Sequence, residues 1–197
     1  AQACATAEVL YDLAPRLGLS IDPDVATNLL TGMVTDTIGF RTVSTTPRVL
    51  RLAAELMERG ANLAEVYERS LNRHNLTALR YWALGLGRIE AQGGILWSSL
   101  RLDDRSAAGY RGNDDADLIN LLAATEGARV ALIFVEQSGG RTKVSWRGRE
   151  GINVARIAEV FGGGGHDLAA GAMIGGEHEA IVRAVLEATT AALEAPA

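Results

Sequence analysis

The pattern of apolar residues changes near Gly87. Before it, apolar residues recur at helical spacing, and Asp22-Pro23, Thr46-Pro47 and Asn62 are typical of helix starts. After it, short apolar runs alternate with glycine pairs and further helical segments, which is typical of a sheet packed against helices. The sequence therefore predicts an α/β protein whose first part is almost wholly helical.

Strands are predicted only in the second part of the chain. Gly93-Gly94 is a hairpin signal between two apolar runs. The predicted strands are residues 88–91, 95–100, 130–135, 142–147 and 172–174, and the predicted helices of this part are residues 114–125, 153–161 and 177–193. These elements predict a helical piece (residues 1–73), a helical connector (residues 74–88) and an α/β domain (residues 89–197).

Charge and composition exclude several classes of protein. The 197 residues carry a net charge of −5, which argues against a broad duplex-binding surface but leaves room for a small basic pocket. Cys4 is the only cysteine, so no internal disulfide can form and a reducing, cytoplasmic compartment is expected. No apolar run is long enough to span a membrane. The sequence begins without methionine in a segment already patterned as helix, as expected of a piece of a longer protein.

A predicted helix ends in four glycines and a histidine: Gly162, Gly163, Gly164, Gly165 and His166. No packing requirement is expected to explain this run, because glycine loses the most conformational freedom on folding. Bare backbone N–H groups can converge on one anion, and the histidine can donate to the same anion. A flexible linker is the alternative, but linkers usually continue into Ser, Pro or charged residues, whereas this run continues into Ala and Gly. The composition favours a phosphate-binding loop.

Two further residues are candidates for phosphate chemistry. Asp36 follows an apolar helix, so its surroundings are expected to be partly buried. It is either a ligand for Mg²⁺ or Mn²⁺ or, on local grounds the favoured interpretation, a capping or turn aspartate. Arg147 lies on a predicted strand before the glycine run and could pair with a phosphate there, or it could be a solvated residue at a strand end.

The remaining candidates favour structural roles. His74 and His178 are predicted to lie on the surface, and three scattered histidines do not make a zinc site. Cys4 is predicted to serve packing rather than nucleophilic attack. Capping and solvation are expected of the polar residues Arg111, Asn113, Asp114, Asp115 and Asp117, and core or interface positions are expected of Trp82, Trp97 and Trp146, with stacking on a base as the alternative for one of them.

Several separated motifs together resemble one known family. Residues 162–171, Gly-Gly-Gly-Gly-His-Asp-Leu-Ala-Ala-Gly, are similar to the signature of the DHH-associated domain of DHH-family phosphoesterases. Residues 34–41 resemble the last metal-binding motif of their catalytic DHH domain, and residues 5–9 resemble the helix after its Asp-His-His motif. Residues 144–147 resemble the strand whose arginine contacts substrate phosphate. Order and spacing resemble the short RecJ-like members, namely nanoRNases, phosphoadenosine phosphatases and cyclic-dinucleotide phosphodiesterases, over essentially the whole chain.

The resemblance implies a helical remnant of the DHH domain, joined by the helical connector to a smaller α/β DHH-associated domain with a mixed sheet. Such enzymes use two metal ions, usually Mn²⁺ and alternatively Mg²⁺, to activate a water for attack on phosphorus. By resemblance, Asp36 is a metal ligand, and the substrate phosphate is held by Arg147 and residues 162–166. No Asp-His-His occurs in the sequence, so the catalytic set is incomplete. The isolated chain is therefore expected to bind a short RNA oligonucleotide or nucleotide phosphate, to retain no metal and to lack activity.

The sequence departs from the family pattern at two positions. Ile38 stands between Asp36-Thr37 and Gly39, where the family more often has glycine directly after Asp-Thr, and this is expected to shift a turn. Gly148 follows Arg147, where the family often has serine, and this removes a possible phosphate donor.

Three hypotheses follow for the function. The first is the C-terminal part of a metal-dependent phosphoesterase that acts on short oligoribonucleotides or nucleotide phosphates, with a homodimer possible. The second is a nucleotide-binding or nucleic-acid-binding module that never hydrolysed its ligand. The third is the related domain that follows alanyl-tRNA synthetases, which His166 directly after the glycines and the motif around Asp36 argue against.

Overall fold

The computed structural model describes residues 3–194. The chain divides into two compact units, Ala1–His74 and Asn75–Ala197. The helix predicted as a connector lies in the second unit, where Ser98 donates its hydroxyl to the carbonyl of Gly85 at 2.6 Å. Among the described residues, none of the helices is both long and apolar enough to cross a membrane.

The first unit is helical. It contains α1 (Thr6–Arg16), α2 (Pro23–Asp36), α3 (Pro47–Glu58) and α4 (Leu63–Tyr67), which continues into a π-helical turn (Glu68–Asn72). The helix starts lie where the sequence predicts them, because Asp22, Thr46 and Asn62 each accept a hydrogen bond from a backbone N–H of the first turn. The helices enclose a core of their own, which includes the buried residues Ala26, Leu30, Met33, Val34, Val49 and Leu56.

Cys4 is buried in the core of the first unit. Burial, followed by a hydrogen bond with Glu8, raises the pKa of its thiol to about 11, so the reactive thiolate is scarce at neutral pH. The Glu8 carboxylate accepts the backbone N–H of Cys4 at 2.8 Å and pairs with Arg48. The structure therefore gives Cys4 the packing role that the sequence predicts.

The second unit is a mixed six-stranded sheet with helices on both faces. Its strands are β1 (Glu90–Gln92), β2 (Ile95–Leu100), β3 (Val130–Gln137), β4 (Arg141–Gly148), β5 (Gly164–His166) and β6 (Ala169–Gly175). Their order is β1-β2-β3-β4-β6-β5; β2 and β3 are parallel, and the other neighbours are antiparallel. The helices are α5 (Leu76–Leu86), α6 (Leu102–Ala108), α7 (Leu118–Ala123), α8 (Val154–Val160) and α9 (His178–Glu194). The α/β class and the mixed sheet are as predicted.

The two faces of the sheet are covered to different extents. On one face, α8 and α9 pack against β2, β3, β4 and β6 around the buried rings of Trp97, Phe134 and Trp146, so the core position predicted for both tryptophans is confirmed. On the other face, α5, α6 and α7 form a core with β2 and β3. No described residue of β4, β5 or β6 belongs to this second core. The helical layer on this face therefore leaves the half of the sheet formed by β4, β6 and β5 outside its core.

One predicted helix is shorter in the structure, and α6 and β5 are not among the predicted elements. The helix predicted over residues 114–125 is limited to α7, because Ala116 and Asp117 have left-handed backbone conformations (φ 51° and 67°) that a right-handed helix excludes. Asp115 is buried rather than solvated, and its carboxylate accepts the N–H of Ile119 at 2.8 Å. The short helix α6, whose sequence is dominated by polar residues, is not among the predicted elements.

The surface position predicted for His178 is wrong. Its side chain is only 6% exposed, since the start of α9 packs against the sheet. The ring Nδ1 lies 3.1 Å from the Thr142 hydroxyl and Nε2 lies 3.3 Å from the Ser99 hydroxyl. The flanking glutamates, Glu177 and Glu179, are exposed and give the segment its polar character in sequence.

Candidate phosphate-binding site

Arg147 and His166 lie on the same face of the sheet, on either side of one alanine. Arg147 in β4 is directly opposite Ala169 in β6, and Ala169 is directly opposite His166 in β5. Residues directly opposite each other in a sheet point to the same face. Two interstrand spacings put the Cα atoms of Arg147 and His166 about 10 Å apart. Strand pairing thus brings together two of the side chains that the sequence singles out.

These two side chains lie beside the core that α5, α6 and α7 form on this face, and not within it. Arg147 shares its face with Ala131 of β3, which belongs to the core beneath α5, α6 and α7. The guanidinium is half-buried and donates to the carbonyl of Trp146 at 3.1 Å. His166 is exposed. Among residues 3–194, no carboxylate forms a salt bridge with either side chain, so both are available to an anion.

The glycine run is not an open loop. Gly162 ends α8 with φ +73°, a conformation that favours glycine, and its N–H donates to the Glu159 carbonyl at 3.0 Å. The N–H of Gly163 donates to the Ala158 carbonyl at 2.9 Å. These two amides close the helix, so they are not among the N–H groups that the run can offer to an anion.

Packing also explains two of the four glycines, contrary to the prediction that no packing requirement does. A Cβ on Gly163 would lie 2.2 Å from the carbonyl oxygen of Gly171, and a Cβ on Gly165 would lie 2.4 Å from that of Ala169. The close approach of β6 therefore requires glycine at both positions.

Gly164 is the exception. It has no positive φ, and a Cβ built on it meets no atom within 4 Å. It is directly opposite Gly171 in β6, on the same face as Arg147 and His166. The fold does not require glycine here, so its effect is to leave open space above the backbone at the edge of the sheet. Bare backbone beside an arginine and a histidine suits the close approach of an anionic ligand.

A hydrogen-bonded turn fixes the position of His166. The side chain of Asn153, which caps α8, donates to the Asp167 carboxylate at 2.6 Å, and the N–H of Val154 donates to the Asp167 carbonyl at 2.8 Å. The N–H of Gly148 donates to the Leu168 carbonyl at 2.9 Å. Asn153 and Asp167 are absent from the sequence-based site; the helix-capping signal at Asn153 is the only local sign of their role.

Gly148 has a packing role of its own. It is directly opposite Val130, whose side chain lies in the core beneath α8 and α9, and a Cβ on Gly148 would lie 2.9 Å from the Val154 side chain. A serine at position 148 would point to the face opposite that of Arg147. Its absence therefore removes no donor from the face that carries Arg147 and His166, contrary to the expectation.

Asp36 lies in the first unit, at the last position of α2, and is exposed rather than partly buried. Thr37 turns inward instead: its hydroxyl donates to the Met33 carbonyl at 2.6 Å and accepts the N–H of Phe40 at 2.8 Å. The backbone then takes positive φ at Ile38 (49°), Gly39 (70°) and Phe40 (62°). Ile38, the departure from the family pattern, thus occupies a conformation that favours glycine.

The described residues do not fit a Mn²⁺ or Mg²⁺ site. Such ions take several oxygen ligands. Within residues 3–194, no group of three His, Cys, Asp or Glu side chains is placed to hold a metal ion, and this includes Asp36. A cavity of about 610 Å³ beside Tyr67 and one of about 290 Å³ beside Gly94 are not lined by Asp36, Arg147 or His166.

Comparisons with known proteins agree with the fold. A family profile described as the DHHA1 domain matches residues 105–194. The bifunctional oligoribonuclease and PAP phosphatase NrnA of Thermus thermophilus is 37% identical over 194 aligned residues, which cover 95% of this chain and 58% of that protein. The protein of the same name from Mycoplasma genitalium is 30% identical over 174 aligned residues, which cover 86% of this chain and 52% of that protein.

A solved structure is similar to nearly the whole chain. An exopolyphosphatase-related protein from Bacteroides fragilis superposes with a TM-score of 0.85 at 24% identity, covering 96% of this chain and 56% of that one. The chain spans little more than half the length of each of these relatives. Because it contains a DHHA1 domain and is similar to NrnA proteins, the chain belongs to the DHH family of phosphoesterases.

Proposed function

We propose that the second unit holds the phosphate group of a short oligoribonucleotide or nucleotide phosphate for a phosphoesterase. The observation that supports this most directly is the shared register of Arg147 and His166 across Ala169, beside the core that α5, α6 and α7 form on the same face. A guanidinium matches a phosphate with parallel N–H donors, and the imidazole adds a donor from the next strand but one. The names of the two NrnA relatives give the substrate classes.

In this proposal, the chain binds the phosphate ligand and orients it. Arg147 supplies charge and directional donors, His166 approaches from the edge strand, and Gly164 lets the ligand lie close to the backbone of β5. Asn153 and Asp167 keep His166 in place through the turn between β5 and β6. We assign hydrolysis, and with it Mn²⁺ or Mg²⁺, to residues of a longer protein, because no group among residues 3–194 fits such a site.

The second candidate function is a nucleotide-binding module that does not hydrolyse its ligand. It is favoured by the same observation, that no group of the described residues fits a metal ion. The identity of the whole protein's substrate, a cytoplasmic location and a homodimer also stay predictions.

The phosphate site is tested with two variants and a matched control. Arg147→Ala and His166→Ala should each weaken binding of a 5′-phosphorylated adenosine dinucleotide about ten- to a hundredfold by calorimetry, since hydrogen bonds to charged groups contribute about 1.5–3 kcal/mol. Arg183→Ala removes an exposed arginine from α9, on the other face, and should leave the affinity unchanged. Unchanged affinity in both site variants would remove them from the site.

A further inference from the structure

Arg147, Ala169 and His166, which we call the phosphate row, lie at one end of the sheet. The strand β4 ends one residue after Arg147, β5 ends at His166 and β6 begins at Ala169. In one direction from this row the strands stop, and in the other direction β5 and β6 continue side by side. A ligand whose phosphate is held in the row therefore either points its remaining atoms into solvent or lays them along β5 and β6.

Next to the phosphate row, the same face of the sheet is bare backbone. On β6, Ala169, Gly171 and Met173 alternate with residues of the core beneath α8 and α9, so they project to the other face. Gly171 lies directly opposite Gly164 of β5, and neither residue has a side chain. The two glycines lie about 7 Å, or two residues of strand, from the phosphate row. A planar ring can approach such a surface closely.

Met173 closes the far end of this bare surface. It follows Gly171 by two residues on the same face, and its side chain is 49% exposed. It is the one exposed large apolar side chain within β5 and β6, both of which lie in the described part of the chain. The core beneath α5, α6 and α7 includes no described residue of β5 or β6. Because His166 and Met173 are both exposed, the surface is accessible from both of its ends.

The proposed ligand contains a group that fits this surface. A nucleotide carries its base one ribose away from its phosphate, so the sugar alone joins a phosphate in the row to a base above Gly171 and Gly164. Neither glycine is charged, and neither is Met173, which suits an uncharged ring. The methionine side chain has three rotatable bonds and a polarizable sulfur that makes favourable contacts with the edges of aromatic rings.

We propose that Met173 is a specificity-determining residue that contacts the base next to the bound phosphate, so that the site recognises a nucleotide rather than any phosphate ester. The base lies above Gly171 and Gly164, with its edge against the thioether of Met173. This inference rests on the proposed phosphate site and assigns the adjoining base to β6.

The test compares two phosphate esters that differ in the base. The full chain is titrated by calorimetry with adenosine 5′-monophosphate and with ribose 5-phosphate. Met173→Ala should lower the affinity for adenosine 5′-monophosphate about two- to tenfold, the range expected for a sulfur–aromatic contact, and leave that for ribose 5-phosphate unchanged. Met173→Leu, which keeps most of the apolar volume, should recover part of this loss. Val160→Ala removes an exposed apolar side chain from α8, on the opposite face, and should bind both ligands like wild type.

Nuclear magnetic resonance locates the base independently of affinity. The sequence contains three methionines, Met33, Met57 and Met173, so a chain labelled with methyl-¹³C methionine gives three methyl signals. The Met173 signal is identified by its absence in Met173→Leu. It should shift with adenosine 5′-monophosphate, because an aromatic ring changes the magnetic field at nearby protons, and stay in place with ribose 5-phosphate. Met33 and Met57 lie in the first unit, and their signals should stay in place with both ligands.

The outcomes separate the base contact from the phosphate site. An unshifted Met173 methyl signal, wild-type affinity of Met173→Ala for adenosine 5′-monophosphate, or an equal loss for both ligands would overturn the base contact. If Arg147→Ala also bound both ligands like wild type, the phosphate site itself would be rejected. If Arg147→Ala weakened the binding of both ligands, only the role of Met173 would be.

Discussion

The four glycines of the run differ in what the fold demands of them. Gly162 is set by its positive φ, and Gly163 and Gly165 are set by the backbone of β6, whereas Gly164 has open space above it. The sequence predicts the run as a site because the glycines are consecutive. It could not assign their individual roles, because those depend on a strand that lies beyond the turn at Asp167.

This difference predicts opposite behaviour for two adjacent substitutions. Gly163→Ala should lower the free energy of unfolding by about 1–3 kcal/mol or more, because its Cβ would lie 2.2 Å from the Gly171 carbonyl oxygen. Gly164→Ala should stay within about 0.5 kcal/mol of wild type. Urea denaturation followed by circular dichroism measures both.

The same pair of variants separates folding from binding. Gly164→Ala should weaken binding of the 5′-phosphorylated dinucleotide severalfold although it folds normally, since the new methyl group fills the space beside Arg147 and His166. Wild-type affinity in Gly164→Ala would show that the ligand does not approach β5. A stable Gly163→Ala would contradict the close contact with β6.

Helix α9 shows why the local sequence does not predict which residues of a helix contact the sheet. His178 stands between two glutamates and has the pattern of an exposed helix start, yet it is buried against Thr142 of β4 and Ser99 of β2. The helix boundaries follow from local signals, as the caps at Asp22 and Asn153 do. Which side of α9 faces the sheet depends on strand order, which no local pattern encodes.

Burial of His178 predicts a pH-dependent stability of the second unit. Burial, and then the charge of Arg101, lower the pKa of His178 from its usual value of 6.5, although Glu136 and Glu179 oppose the shift. The unfolded chain then binds the proton more readily than the folded one. The contribution of His178 is therefore complete above about pH 6.5 and is lost as the pH falls towards the lower folded pKa.

Urea denaturation between pH 5 and 7 measures this dependence. His178→Gln should reduce the loss of stability on acidification, since the amide can contact both hydroxyls without titrating. His166→Gln, at an exposed position, should keep the wild-type slope. Equal slopes in wild type and His178→Gln would show that His178 has the same pKa in the folded and the unfolded chain, which would contradict the effect of burial.

At the scale of the whole molecule, the sequence predicts the division into helices and sheet but not the order of the strands. The change of pattern near Gly87 predicts helices followed by a sheet, and the two units follow that division closely, although α5 joins the second. The order β4-β6-β5 is not predictable from the chain order, because the last strand, β6, lies between β4 and β5 and pairs with both. That order puts Arg147 and His166 in one row, so the candidate residues were predictable and their geometry was not.

The chain by itself should bind nucleotide without hydrolysing it. With Mn²⁺ and the 5′-phosphorylated dinucleotide, the chain should bind ligand and release no mononucleotide, because the described residues hold no group that fits the metal. Asp36→Ala should leave the dinucleotide affinity unchanged, since Asp36 is exposed in the first unit, whereas Arg147→Ala should weaken it. Chromatography of the products after prolonged incubation measures hydrolysis, and calorimetry measures binding. Mononucleotide release that depends on Mn²⁺ and disappears in Asp36→Ala would mean that this chain carries a working metal site, and the proposal of a binding role alone would fail.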